Sequence, residues 1–167
     1  SFPTRRSSDL HFYQHAFGMQ LVAYTGPETG NRDHKGFVLK SGSARFVILG
    51  AVDPSSALAE HHRAHGDGVL DLALEVPDVD KCINRAREQG ATILDEPHEV
   101  SDEHGTVRTA AIATYGQTRH TLIDRSRYDG VYLPGYRPRS STMTAPASWE
   151  SPRQEGRSRR GRVFQAV

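Results

Sequence analysis

One order of elements is spelled twice along this chain, and that repetition limits the fold more than any single residue does. The second half reads as a strand (Val69–Val76), a helix (about Val79 to Gln89), and strands at Thr92–Asp95, Val107–Ala113 and His120–Asp124. The helix rests on Val79, Cys82, Ile83 and Ala86 at helical spacing, with Gly90 behind it. The first half reads as a helix from Leu10 to Phe17, closed by Gly18, then strands Met19–Thr25, Gly36–Leu39 and Ala44–Leu49. The helix endings AFGMQLV and REQGATIL correspond. A short helix from Ser56 to about Ala64 joins the halves. The order is thus α-β-β-β followed by β-α-β-β-β, the first unit lacking its leading strand. Such a duplication predicts an α+β fold in which two halves pack side by side around a shared cleft.

Length and composition narrow the function classes. At 167 residues the chain fits one domain and a tail, and a net charge of +1 provides no global field toward nucleic acid or membrane. No apolar run approaches the roughly 20 residues of a bilayer span. A single cysteine, Cys82, makes neither an internal disulfide nor a cysteine-type zinc site, so a cytoplasmic setting is the default.

The two ends differ from the middle. Residues 1–10, SFPTRRSSDL, resemble the translation of a common sequencing-adapter oligonucleotide and are expected to be an assembly artefact; the alternative is a native basic, serine-rich tail. Residues 137–162 are rich in Pro, Ser and Arg without apolar periodicity and read as a disordered linker. Arg157, Arg159, Arg160 and Arg162 could touch phosphate, but no aromatic residue is interleaved to stack bases, and Glu150 and Glu155 lie close by. A nucleic-acid partner is therefore not expected. Residues 163–167 turn apolar again, like the opening of a further domain.

The segments HAFGMQLVAYTGP, GSARFVILGA, HGDGVLDLALEV, DEHGTVRTAAIATYG, TRHTLIDR and YDGVYLPGY occur in this order between residues 11 and 136. Together they resemble the N-terminal domain of bacterial 4-hydroxyphenylpyruvate dioxygenases, members of the vicinal-oxygen-chelate superfamily of glyoxalases, bleomycin-resistance proteins and dioxygenases. The resemblance implies paired β-α-β-β-β modules. It also implies a whole enzyme that converts 4-hydroxyphenylpyruvate and O₂ to homogentisate and CO₂ in tyrosine catabolism. In that family one Fe(II) is held by two histidines and a glutamate, all in the C-terminal domain. The partners implied are that domain, further copies of the chain, and an aromatic keto acid.

On the same resemblance the first iron ligand follows a strand of the form F-x-A-I-D-H, matched here by Phe164-Gln165-Ala166-Val167. Asp71 stands where the partner domain has its second histidine, and Thr121 where it has its glutamate. An aspartate and a threonine make a poor Fe(II) site. The expectation is that this chain carries no catalytic, cofactor-binding or metal-ligating residue and binds no Fe(II) itself. A fragment of hydroxymandelate synthase, and a stand-alone ligand-binding module of the bleomycin-resistance type, are the alternatives.

The residues themselves also have plainer readings. In HGDGVLDLALEV the strand period puts Asp71, Ala73 and Glu75 on one face and Leu70, Leu72, Leu74 and Val76 on the other. The leucine face is expected in the core. Asp71 is expected to accept hydrogen bonds across the cleft from Arg45 or Thr121. His61 and His65, at i and i+4, could grip a metal, but no glutamate lies between them as in the zinc-protease pattern. His98 and His104 are expected in turns and His120 near a strand start, and Cys82 is read as a small apolar group on a helix face. No G-x-S-x-G elbow supports a hydrolase.

Overall fold

A computed structural model describes residues 5–139 and 163–166. Its elements are α1 (Arg5–Ala16), β1 (Gln20–Thr25), β2 (His34–Ser41), β3 (Ala44–Ala51), α2 (Ala57–His65), β4 (Gly68–Leu72), β5 (Leu74–Glu75), α3 (Val79–Glu88), β6 (Ile93–Asp102), β7 (Gly105–Ala113), β8 (Arg119–Tyr128), β9 (Arg137–Pro138) and β10 (Val163–Ala166). All strands join one sheet in the order β6-β7-β8-β4-β10-β3-β2-β1-β9, with β5 continuing β4 alongside β8. The duplicated order is therefore real: β4–β5, α3 and β6–β8 form one module, and α1 and β1–β3 form the other without its own leading strand.

Local chemistry sets most boundaries. Asp78 caps α3 by accepting from the Lys81 N–H at 2.9 Å, and Ser56 caps α2 by accepting from the Ala59 N–H at 3.2 Å. Val79 and Ile83 of α3 are buried against Ala110 and Leu122 of the sheet, while Cys82 packs at the margin of that cluster. Asp80 of α3 accepts from Nε and one terminal nitrogen of Arg108 on β7 in a forked ion pair, and that guanidinium holds its carboxyl below the usual range. Helix α1 begins at Arg5, within the segment set aside as an artefact, because no helix breaker lies between Arg5 and Ala16.

Strand β6 runs to Asp102, well past the expected Asp95, and so includes Pro97 and His98. The sheet order puts β6 at an edge, where a missing proline N–H costs no ladder bond, and its register shifts around that point. His98 is thus a strand residue rather than a turn residue. At the other edge Arg137–Pro138 pair with Tyr24 and Ala23, and the Arg139 N–H donates to the Val22 carbonyl at 3.1 Å, so the folded unit extends beyond Tyr136. Residues 140–162, the rest of the expected linker, lie outside the described residues.

The concave face holds the main core. Ala23, Val38, Val47 and Leu49 of the first module surround Tyr132, and Ala73, Val107, Ile123 and Tyr128 form the adjoining cluster of the second. Of the face expected to be buried in β4–β5, Leu70 and Val76 are partly buried, Val76 against the Val79–Ile83 cluster, but its middle is open. Asp71 and Ala73 are 1% and 3% exposed, whereas Leu72 and Leu74 are 42% and 45% exposed. The alternation was read correctly, but at its centre the buried side is that of Asp71 and Ala73. The cleft closes over the Asp71 face because the chain after β8 folds back into it, and among the described residues no comparable layer covers Leu72 and Leu74.

Candidate functional site

Asp71 is the centre of the cleft. Its carboxylate accepts from the Thr121 backbone N–H at 3.0 Å, from the Thr121 hydroxyl, and from Arg119 Nε at 3.2 Å. The parallel pairing of Asp71 with Arg119 places the acid on β4 beside the start of β8 and accounts for all three bonds. Thr121, one of the two expected alternatives, is the donor in two of these bonds. Arg45 lies 4.0 Å from Glu75, further along the same face. Arg119, immediately before His120 in the TRHTLIDR segment, was not singled out in the sequence, since its contact depends on the β4–β8 register.

The floor of the cleft is tyrosine. Segment 129–136 turns back through Leu133-Pro134-Gly135-Tyr136, where the Tyr136 N–H donates to the Leu133 carbonyl at 3.1 Å and Gly135 has φ of 85°. Proline then glycine with positive φ is the signature of a type II turn, so the Pro-Gly pair carried a readable sign of this reversal. Thr25, 2% exposed, donates to the Gly135 carbonyl at 3.0 Å and fastens the turn to β1. Gly36 faces the Tyr136 hydroxyl closely enough that a Cβ there would lie 3.1 Å from it. Tyr132 and Tyr136 meet edge to face with centroids 4.9 Å apart. Burial pushes both phenols above the ordinary tyrosine range, and for Tyr132 the nearby Tyr136 and Asp71 add to that. Among the described residues the buried Tyr132 Oη and Arg125 Nε lack a hydrogen-bond partner.

Beside this floor lies a cavity of about 540 Å³ between the modules. Asn31 and His34 line it from the first module, and His98, Arg119 and Thr121 from the second. The Asn31 amide donates to His34 Nε2 at 3.0 Å, and burial lowers the His34 pKa, so His34 favours its neutral form. His98 Nδ1 is satisfied by the Glu96 carbonyl at 3.0 Å. The cavity wall is therefore mixed: Leu49, Ala111 and Leu133 lie beside these polar groups, and Arg119 and Asp95 bring one charge of each sign.

The other candidate residues are dispersed. His61 and His65 have ring centroids 4.8 Å apart on α2, but His65 bonds Gln117 and His62 lies 3.4 Å from Asp67. His120 Nδ1 donates to the Leu72 carbonyl at 2.8 Å and so ties β8 to β4. His104 stands in the β6–β7 turn near Tyr128. Among the described residues no three His, Cys, Asp or Glu side chains converge as metal ligands, and no helix is long and apolar enough to cross a membrane.

The cleft donors also fail to suit Fe(II). Asp71 already accepts three hydrogen bonds, and a guanidinium at 3.2 Å opposes a second cation there.

Tyr128 gives the site a pH signature. Its hydroxyl donates to Asp102 at 3.0 Å, and burial together with that bond pushes its pKa from 10.0 up to about 12. A phenol that ionises later when folded stabilises the fold fully below pH 10, and this contribution is lost as pH rises toward 12. Denaturation midpoints measured against pH are expected to hold below 10 and fall above it. Tyr128→Phe should show a smaller fall, and an equal fall would refute the assignment.

Residues 8–124 match the Glyoxalase/Bleomycin resistance protein/Dioxygenase superfamily. The chain is 43% identical over 129 residues to a 4-hydroxyphenylpyruvate dioxygenase of Caenorhabditis briggsae, covering 77% of this chain and 33% of that protein. It is 41% identical over 130 residues to the enzyme of the same name from Dictyostelium discoideum, covering 75% and 35% respectively. The chain thus spans about a third of the length of these relatives. Among solved structures, a mutant of 4-hydroxymandelate synthase from Streptomyces coelicolor superposes with a TM-score of 0.69 at 29% identity, over 81% of this chain and 38% of that one. Methylmalonyl-CoA epimerase from Mycobacterium tuberculosis shares the fold alone, with a TM-score of 0.57 at 21% identity, over 71% of this chain and 79% of that one. With matched sequence across both modules and the paired-module sheet in place, the chain belongs to the glyoxalase/bleomycin resistance protein/dioxygenase superfamily and has 4-hydroxyphenylpyruvate dioxygenases as its sequence relatives.

Proposed function

We propose that this chain is the scaffolding N-terminal domain of an Fe(II)-dependent dioxygenase that converts 4-hydroxyphenylpyruvate and O₂ to homogentisate and CO₂. The observation that carries the non-catalytic role is the Asp71 cluster, where the buried carboxylate already accepts three hydrogen bonds from Thr121 and Arg119. The tyrosine floor supports the same reading, since it fills the centre of the cleft with side chains. In the whole enzyme this domain packs on the iron-bearing domain and joins subunits in the cytoplasm, while the aromatic keto acid and the iron are held by the other domain.

The test is oxygen consumption by the purified chain supplied with ferrous iron and 4-hydroxyphenylpyruvate. No uptake above the iron-only rate is expected. Substrate-dependent uptake with homogentisate as product would overturn the non-catalytic assignment. The likeness to 4-hydroxymandelate synthase supports a second reading, in which the longer polypeptide yields 4-hydroxymandelate instead. Product analysis of a polypeptide that includes both domains separates the two.

A further inference from the structure

Helix α2 carries a pair of side chains that the cleft does not use. His61 and His65 lie one turn apart on it, with ring centroids 4.8 Å apart and a tilt of 46°. Two imidazoles bound to one cation at about 2.1 Å, with roughly 90° to 110° between the bonds, have centroids about 4.5 to 5.2 Å apart. The helix therefore already spaces these rings for a shared ion. The fold adds a third donor that the spacing of the histidines does not show. Gln117, 52 residues along the chain in the turn between β7 and β8, places its side-chain oxygen 2.5 Å from His65 Nε2.

The surrounding charge favours a cation. His65 ends α2, where the partial negative charge of the last carbonyls attracts positive groups. Arg63 sits at i+2 from His61, a spacing that does not share its face, and donates to the Pro54 carbonyl at 2.7 Å. Burial and the neighbouring His65 and His62 lower the His61 pKa, so at neutral pH its ring is neutral with a lone pair to give.

We propose that His61, His65 and Gln117 form a binding site for a divalent transition-metal ion of the zinc, nickel or copper type, which clips α2 to the β7–β8 turn. Imidazole nitrogen selects such ions over magnesium and calcium, which take oxygen ligands. Water completes the coordination, as at an open rather than a closed site. Helix α2 joins the two modules and the β7–β8 turn belongs to the second, so the clip restrains their junction. The site is separate from the Fe(II) chemistry proposed for the whole enzyme and does not depend on it.

The test is calorimetric titration of Zn(II) into the intact chain. One saturable site is expected, and Mg(II) should give none. His65→Ala should weaken Zn(II) at least about tenfold, because it removes a direct ligand where even an outer partner costs about 10- to 100-fold. His65 is exposed and alanine favours a helix, so this variant keeps its fold. His61→Ala should match it, and Gln117→Ala should weaken binding less. His104, beside Glu103 and Asp129, is the competing place for an ion. Absence of a saturable site, binding unchanged by His65→Ala, or binding lost in His104→Ala would overturn the proposal. Zinc should also slow amide exchange at Gly66, which donates to the His62 carbonyl, and at Thr114, which donates to the Thr118 carbonyl. Saturable binding with unchanged exchange at Thr114 would overturn the clip.

Discussion

Replacing Tyr132 by Ala is expected to lower the unfolding free energy by about 4 kcal/mol, within the range for large aromatic truncations in a core. Tyr132 is 1% exposed and packs with Ala23, Val38, Val47 and Leu49, so its removal empties the centre of the cleft. Val131, Leu133 and Tyr136 flank the gap and are held by the turn and by Thr25, which limits collapse. Tyr132→Phe separates packing from polarity. Its hydroxyl has no partner among the described residues, so removing the oxygen should be neutral or stabilise by about 1 kcal/mol. Urea denaturation of the two variants at unchanged slope measures both effects. A phenylalanine variant as damaged as the alanine one would show that the hydroxyl is bonded and that the cleft floor is polar.

Asp71→Ala is the second large effect, a loss of about 3 kcal/mol, because it leaves the Thr121 N–H and hydroxyl facing a buried gap. Arg119 contributes less to that loss, since its side chain is 46% exposed and can return to water. Arg119→Ala should therefore cost well under 1 kcal/mol, and Asp71→Asn, which keeps an acceptor for the Thr121 N–H, should fall between the two. If Asp71→Ala and Arg119→Ala cost the same, the ion pair rather than the Thr121 bonds would be the source of stability. If Asp71→Ala cost nothing, the carboxylate would be free to serve a ligand, and the scaffolding role would lose its main support.

The legible part of this protein was local. Helix α3 could be read from Val79, Cys82, Ile83 and Ala86 with Gly90 behind them, and it formed within a residue of its expected ends. Strands β1, β3 and β7 formed close to their expected bounds because apolar, β-branched runs between glycine-bearing turns leave few other conformations. The misread part was relational. Strand β6 outran its apolar segment because the hairpin with β7 continues through Asp95, Pro97 and His98, and an edge strand tolerates all three. Asp71 was identified as the residue of interest and Thr121 as one partner, but Arg119 could only be found once β4 and β8 were in register. Residues 163–166 were set apart as belonging elsewhere, yet they pair within the seam of this sheet.

The sequence by itself determined the order of elements, the duplication, the superfamily and the alternation of HGDGVLDLALEV, since each depends on the period of a few neighbouring residues or on matched motifs. The tertiary structure decided which face of that strand is buried and which strand fills the seam. An alternating strand has two faces of fixed composition, but burial belongs to whichever face another part of the chain covers. Here the chain from the end of β8 onward puts Tyr132 near Asp71 and Tyr128 and Leu133 against Ala73, and leaves Leu72 and Leu74 outside.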